Sequence, residues 1–301
     1  MIFIIKKFMQ IKDFFKDTKP GGQLIALAFI FVLFFIIAVG LSVALGALFD
    51  GVASKMVIQA VTQIVSFAGT ALFFAYMFHD KPSKYLGLCT THGMVVKLLV
   101  ACLILVALLP LSDWLTRLND SWHLPQCFAA FEESMRSMGE KAQIELNGFL
   151  SRTSFGALIA NLFVLAIVPA ICEELLFRGA LQNIFCRMLS NHHVAIWLTA
   201  ALFSLFHGEL FAFLPRFVLG AALGYLFYYS GSIWINIMTH FLNNALAILL
   251  FYLAYNGVVD ISLTESLSAP WYLSLIGASI AVALFMFFFA TNSRRDLKSD
   301  M

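Results

Sequence analysis

The stretch Asn161–Phe185, "NLFVLAIVPAICEELLFRGALQNIF", decides how this chain is read. It is apolar enough to cross a bilayer, yet Glu173, Glu174 and Arg178 fall within six residues of one another inside it. A charge near the bilayer centre costs at least about 2.5–3.5 kcal/mol, so such groups pair and face an interior. Glu174 and Arg178 are four apart with the acid nearer the N-terminus, which places them on one helix face in the favourable order. Glu173 is turned about 100° away and has no cation nearby in sequence. It is the group that needs a chemical explanation.

The surroundings are those of a membrane protein. Of 301 residues, 61% are hydrophobic and 12% charged, where a soluble domain carries about 25% charge; the mean hydropathy is +0.89. A spanning helix needs about 20 apolar residues. That rule predicts an all-α, polytopic helix bundle, one integral membrane domain over 1–301, with spans at 24–48, 57–78, 94–111, 155–177, 194–207, 214–230, 233–255 and 271–290. The fifth is short. The first apolar run is too long, and its Lys-rich lead too extended, for a signal peptide. Net charge is +2, from a few basic residues at membrane flanks, which implies the lipid bilayer and no nucleic acid as partner. The five cysteines lie mostly in apolar runs and read as packing, not as a disulfide framework.

Basic residues orient the bundle. Lys6, Lys7, Lys12, Lys16 and Lys19 precede the first span, Lys81 and Lys84 follow the second, and Arg294, Arg295 and Lys298 end the chain. The segment before the last span, "YNGVVDISLTESLSAP", has acids and no Lys or Arg. The positive-inside rule then places both termini in the cytoplasm, which requires an even number of spans. The connection 112–154 becomes an external loop. Within it Phe128, Phe131, Met135 and Met138 recur at helical spacing opposite Glu132, Glu133, Arg136 and Glu140, an amphipathic helix for the membrane surface or the end of the bundle. Gln59, Gln63, Ser66 and Thr70 form one stripe of the second span, expected at a helix–helix contact. Asn183, Asn236 and Asn243 read as bundle hydrogen bonds, and His192–His193 as a solvated turn.

Two further polar sets lie at depth: His207 in "ALFSLFHGEL", and His240 with Asn244 in "INIMTHFLNNALAILL". Counted along each helix at roughly 1.5 Å per residue from the proposed cytoplasmic ends, Glu173 and His207 lie about 20 Å in and His240 about 12 Å in, and the three are expected to meet in one cavity of the inner part of the bundle. A desolvated carboxylate can activate water as a general base. A histidine and an amide can donate to an oxyanion. The same carboxylate and two histidines are equally the ligand set of a Zn²⁺ ion with an open water position. Asn244 is a poor zinc ligand and a natural oxyanion donor, which favours metal-independent chemistry. Buried Cys172 reads as packing.

Taken in order, Glu173-Glu174-x-x-x-Arg178, Phe203-x-x-x-His207 and His240-x-x-x-Asn244 resemble the three-motif pattern of the CPBP family. These are the CAAX prenyl protease 2 and bacteriocin-processing "Abi" intramembrane proteases. The resemblance covers about 155–255, the CPBP/CAAX protease core. It implies that Glu173 activates water with help from His207, that Glu174 and Arg178 hold the site together, and that His240 and Asn244 stabilise the oxyanion. Family members have been described both as metalloproteases and as glutamate proteases. The resemblance implies an intramembrane endopeptidase acting on membrane-associated peptides or proteins. For a chain of the bacterial plasma (inner) membrane it further implies peptide processing or self-immunity. A proton-coupled transporter using the same groups is the competing reading, disfavoured by the lack of an internal repeat. A non-catalytic scaffold or immunity protein is the third.

Overall fold

The computed structural model describes residues 15–265 and 269–291; Lys6, Lys7, Lys12, Arg294, Arg295 and Lys298, used above for orientation, lie outside them. All secondary structure among the described residues is helical. The principal helices are α1 (Pro20–Leu48), α2 (Val52–Phe78), α3 (Met94–Asp120), α4 (Ala129–Leu150), α5 (Phe155–Met188), α6 (His192–Leu205), α7 (Phe213–Ser230), α8 (Ile233–Tyr255) and α9 (Trp271–Thr291). Seven helical segments are long and apolar enough to cross a bilayer. Their outer faces carry large apolar side chains such as Phe29, Ile36, Val43, Leu99 and Val282, all more than half exposed. A water-soluble surface does not tolerate that much contiguous apolar area, whereas lipid does. The chain is an integral membrane helix bundle.

The expected fifth span is α6, of 14 residues. At about 1.5 Å per residue it reaches roughly 21 Å, short of a hydrocarbon core of about 30 Å. It runs antiparallel to α7: His192 stacks on Tyr228 at 4.4 Å at one end, and Ser204 Oγ donates to Phe213 O at 2.7 Å at the other. His192 and His193 therefore open a helix and pack on tyrosines instead of forming a loose turn, because their rings cover Tyr228 and Tyr225. The third and fourth spans are longer than the hydropathy pattern indicates. Polar groups at both extensions find partners, as where Asn119 bridges to Leu210 O and Leu214 N.

α5 is not a regular helix. π-helical turns at Leu162–Ile167 and Leu175–Gln182 flank an α-helical stretch, Val168–Glu174. Pro169 accounts for the first, since a proline inside a helix lacks an N–H and its ring displaces the carbonyl four residues earlier, here Leu165. Such insertions recur at functional sites.

The polar stripe on α2 behaves differently from its expectation. Ser66 and Thr70 are buried, but their hydroxyls bond back to Thr62 O and Ser66 O of the same helix. That back-bonding accompanies a further π turn at Ile64–Gly69. Gln59 is exposed. The cross-helix bond comes from Thr62, to Ser42 at 2.8 Å. On α4, Phe131 and Met138 face outward while Glu132 and Arg136 turn to the bundle; Arg136 lies 3.8 Å over the Phe211 ring.

Candidate active site

The site is built on α5, α7 and α8, with the turn after α6 as its rim. Glu174 is fully buried and its carboxylate is completely occupied. Oε1 accepts from Arg178 Nη1 at 2.8 Å and from His240 Nδ1 at 2.9 Å, and Oε2 accepts from Asn236 Nδ2 at 3.2 Å. Arg178, also fully buried, donates through Nη2 to Gly220 O at 3.1 Å and lies 4.5 Å from the Phe203 ring centre. A buried ion pair is tolerated when most of its remaining hydrogen-bonding capacity is met in this way; here Arg178 Nε alone of the pair's polar atoms is buried without a hydrogen-bond partner among the described residues.

α7 packs against α6 along Gly220-x-x-x-Gly224, where added Cβ atoms would stand 3.1 Å from Phe203 Cδ1 and 2.8 Å from Ile196 Cγ2 respectively; α5 reaches the same stripe through Gln182 Oε1, 3.0 Å from a Cβ at Gly224. Glycine at both positions lets the backbones approach, and the exposed carbonyls become acceptors. Arg178 takes Gly220 O, and Gln182, one turn on, takes Gly224 O at 2.9 Å.

Glu173 lies outside this network. Its side chain is 9% exposed, and its Oε2 is buried with no hydrogen-bond partner among the described residues. The Nε2 atoms of His207 and His240 face that oxygen at 4.0 and 3.9 Å. Both rings have their other nitrogen committed. His207 Nδ1–H donates to Phe203 O at 2.8 Å and His240 Nδ1–H to Glu174 Oε1. A neutral ring held this way presents Nε2 as an acceptor, and each gains an Nε2–H donor only as imidazolium. His240 is 5% exposed in its side chain and His207 29%, so the cluster opens on the His207 side. Separations near 4 Å suit one water bridging carboxylate and imidazole.

The expected meeting of Glu173, His207 and His240 is thus present in the geometry, as is the Glu174–Arg178 pair. Asn244 is placed differently. It is one turn beyond His240, and its Nδ2 donates to Leu165 O at 3.3 Å, the carbonyl that Pro169 displaces. Asn243 supports it through Nδ2 to Asn244 Oδ1 at 3.2 Å. Asn236 was expected to make a bundle hydrogen bond; it fixes Glu174 as well as bonding Leu223 O at 2.6 Å. The sequence signal was available, since Asn236, His240 and Asn244 form one i, i+4, i+8 stripe. Glu209 pairs with Arg216 at the rim, a partner not anticipated. Cys172 is 2% exposed within the apolar core.

Ligands sharing a tetrahedral zinc ion lie about 2.0–2.2 Å from it and so roughly 3.3–3.6 Å from one another, somewhat less than the 4.0 and 3.9 Å between Glu173 Oε2 and the two imidazole nitrogens. Among the described residues no group of three His, Cys, Asp or Glu side chains is gathered as ligands.

Fold and site together define an integral membrane protein with a buried carboxylate–imidazole centre. Residues 155–246 match the family model described as Type II CAAX prenyl endopeptidase Rce1-like. Over these residues the chain is similar to Rce1-like endopeptidases, and the match is consistent with the CPBP family. The match runs from the start of α5 into α8 and includes Glu173, Glu174, Arg178, His207, His240 and Asn244. No curated protein and no solved structure matches the chain.

Proposed function

We propose that this protein is an intramembrane endopeptidase of the CAAX-protease type that hydrolyses a peptide bond by a glutamate-activated water. The observation that carries the reading is the unpartnered, buried Oε2 of Glu173 facing two imidazole Nε2 atoms. Every other charge in the cluster is spoken for.

Glu173 takes a proton from water as its oxygen bonds to the scissile carbonyl carbon. His207, at the open side, accepts the second hydrogen of that water through Nε2 and orients it. The carbonyl oxygen becomes an oxyanion, for which the second N–H of Asn244 and the Nε2–H of a protonated His240 are the donors; Glu174 holds that ring through Nδ1 while its own charge is balanced by Arg178. When the C–N bond breaks, the proton held on Glu173 passes to the leaving nitrogen. A new carboxylic acid and a new amine result, and the acid's proton, the second hydrogen of the water, passes to His207 Nε2 to leave the carboxylate. The substrate is a membrane-associated peptide or protein, reaching the site from the His207 side. We place the protein in a bacterial plasma membrane with the ends of α1 and α9 that bear the chain termini in the cytoplasm, on the strength of the Lys and Arg distribution. Peptide maturation and self-immunity are the roles that suit that setting.

The test is cleavage of fluorogenic, membrane-anchored peptides by the purified protein in lipid. Glu173→Gln should lower turnover by at least about 100-fold with its thermal unfolding unchanged. Wild-type turnover in that variant rejects Glu173 as the base.

A further inference from the structure

A second polar site lies at the other end of α5. A cavity of about 690 Å³ is bounded by Lys16, Lys19, Lys81, Lys84 and Arg187, with Asp17 and Asp80 as its only carboxylates among the lining residues. Five cations and two acids line it, and Lys16 is joined to Asp80 at 2.7 Å, so the cavity carries a net positive charge. Its walls come from the start of α1, the end of α2 with the turn after it, and the end of α5. All three are helix ends at one face of the bundle, which is headgroup level for a chain whose helices cross the bilayer.

The cavity is built, not incidental. Arg187 is fixed by Nε on Asn183 O at 3.3 Å, and by Nη2 on Gln23 Oε1 at 2.6 Å and Tyr85 Oη at 3.1 Å. Gln23 is itself 3% exposed and donates to Thr18 O at 3.0 Å. Tyr85, which forms the floor, stacks on His79 at 3.6 Å. These contacts use Nε and Nη2 of Arg187 and leave Nη1 for a ligand. A guanidinium held in one pose beside several ammonium groups is the recognition chemistry of a phosphate. Basic pockets between transmembrane helices bind anionic lipid headgroups for the same reason.

We propose that this cavity binds the phosphate headgroup of an anionic phospholipid, and that the bound lipid clamps α1 and the turn after α2 to the end of α5. Because α5 carries Glu173 and Glu174, the clamp steadies the helix on which the candidate active site stands. The binding does not depend on what that site does.

The experiment is thermal unfolding of the full chain in neutral detergent with added phosphatidylglycerol, phosphatidylcholine, or inorganic phosphate at matched concentration. Phosphatidylglycerol should raise the unfolding temperature, and the other two should not. Each surface cation contributes on the order of fivefold in affinity. Lys81→Gln with Lys84→Gln should therefore raise the phosphatidylglycerol concentration needed for half the response roughly 25-fold, and Arg187→Gln, as a separate variant, should raise it as well. Lys55→Gln with Lys141→Gln, which sit together at a separate surface cavity, should leave it intact. Equal responses in all variants, or none in the wild type, overturn the proposal. An equal response to inorganic phosphate overturns the lipid assignment and leaves a free-anion site.

Discussion

His240 Nδ1 donates to Glu174 Oε1 at 2.9 Å, and that same oxygen accepts from Arg178 Nη1 at 2.8 Å. One carboxylate oxygen therefore neutralises a buried guanidinium and sets the tautomer of an imidazole. The ring's Nε2 is left facing Glu173. Stability and chemistry are joined at Glu174, and they can be separated by substitution.

Glu174→Gln leaves Arg178 as a buried charge without its counter-ion and should cost about 3–5 kcal/mol, measured by denaturant unfolding in micelles. Adding Arg178→Met removes the stranded charge, so the double variant should regain most of that stability. Activity should not return with it, because a neutral amide accepts from His240 Nδ1 more weakly than the carboxylate and can turn its NH2 to that nitrogen instead, so the ring's tautomer is no longer enforced. Recovery of turnover in the double variant would mean that Glu174 only balances charge.

Turnover should be insensitive to strong chelators, since Glu173 Oε2 stands 4.0 and 3.9 Å from the two imidazole nitrogens. The check is turnover after exhaustive chelation, followed by re-addition of Zn²⁺. Loss on chelation with recovery on zinc would require the three side chains to draw together around an ion.

Much of the site could be read from sequence because its logic is local. The Glu174–Arg178 pair follows from i, i+4 spacing, and Glu173 stands out by having no partner within its helix. Depth counting also brought His207 and His240 toward Glu173, because rise per residue is nearly constant in helices. What could not be read depends on departures from regular helix and on backbone acceptors. Gly220 and Gly224 look like packing glycines, and only the approach of α5 turns their carbonyls into acceptors for Arg178 and Gln182. Asn244 has the right spacing from His240, but its bond to Leu165 O exists because Pro169 breaks the ladder there. The short α6 was visible as a weak span. Its pairing with α7 through His192 and Tyr228 was not, since aromatic stacking across helices leaves no periodic mark.

Outside the candidate spanning helices, Glu132 gives a pH dependence of known sign. The Leu124 N–H, followed by Arg136 and His123, holds its carboxyl at about 2, below the ordinary 4.5. The fold thus favours the carboxylate. Its stabilising effect is complete above about pH 4.5 and is lost as pH falls toward 2. Hydrogen exchange should show protection of the Leu124 amide falling across that window, after correction for intrinsic rates. In Glu132→Gln the protection should be low at neutral pH and flat with pH. A wild-type profile in the variant would mean that Arg136, through Trp122 O and Phe211, orders the loop by itself.

Two glycines should separate packing from catalysis. A Cβ at Gly277 would stand 2.3 Å from Ala107 O, a backbone atom with nowhere to go. Gly277→Ala should therefore force α9 away from α3 and cost about 1–3 kcal/mol, while turnover per folded molecule stays at the wild-type value. A Cβ at Gly220 meets a side chain as well as backbone, 3.1 Å from Phe203 Cδ1 and 3.3 Å from Ala200 Cα. Phe203 packs on Arg178 and supplies the carbonyl that fixes His207 Nδ1. Displacing it should rotate the His207 ring, so Gly220→Ala should lower turnover per folded molecule even where its loss of stability is the smaller. Paired unfolding and turnover measurements decide the matter. If both variants lose stability and keep turnover, the Phe203–His207 contact is packing alone.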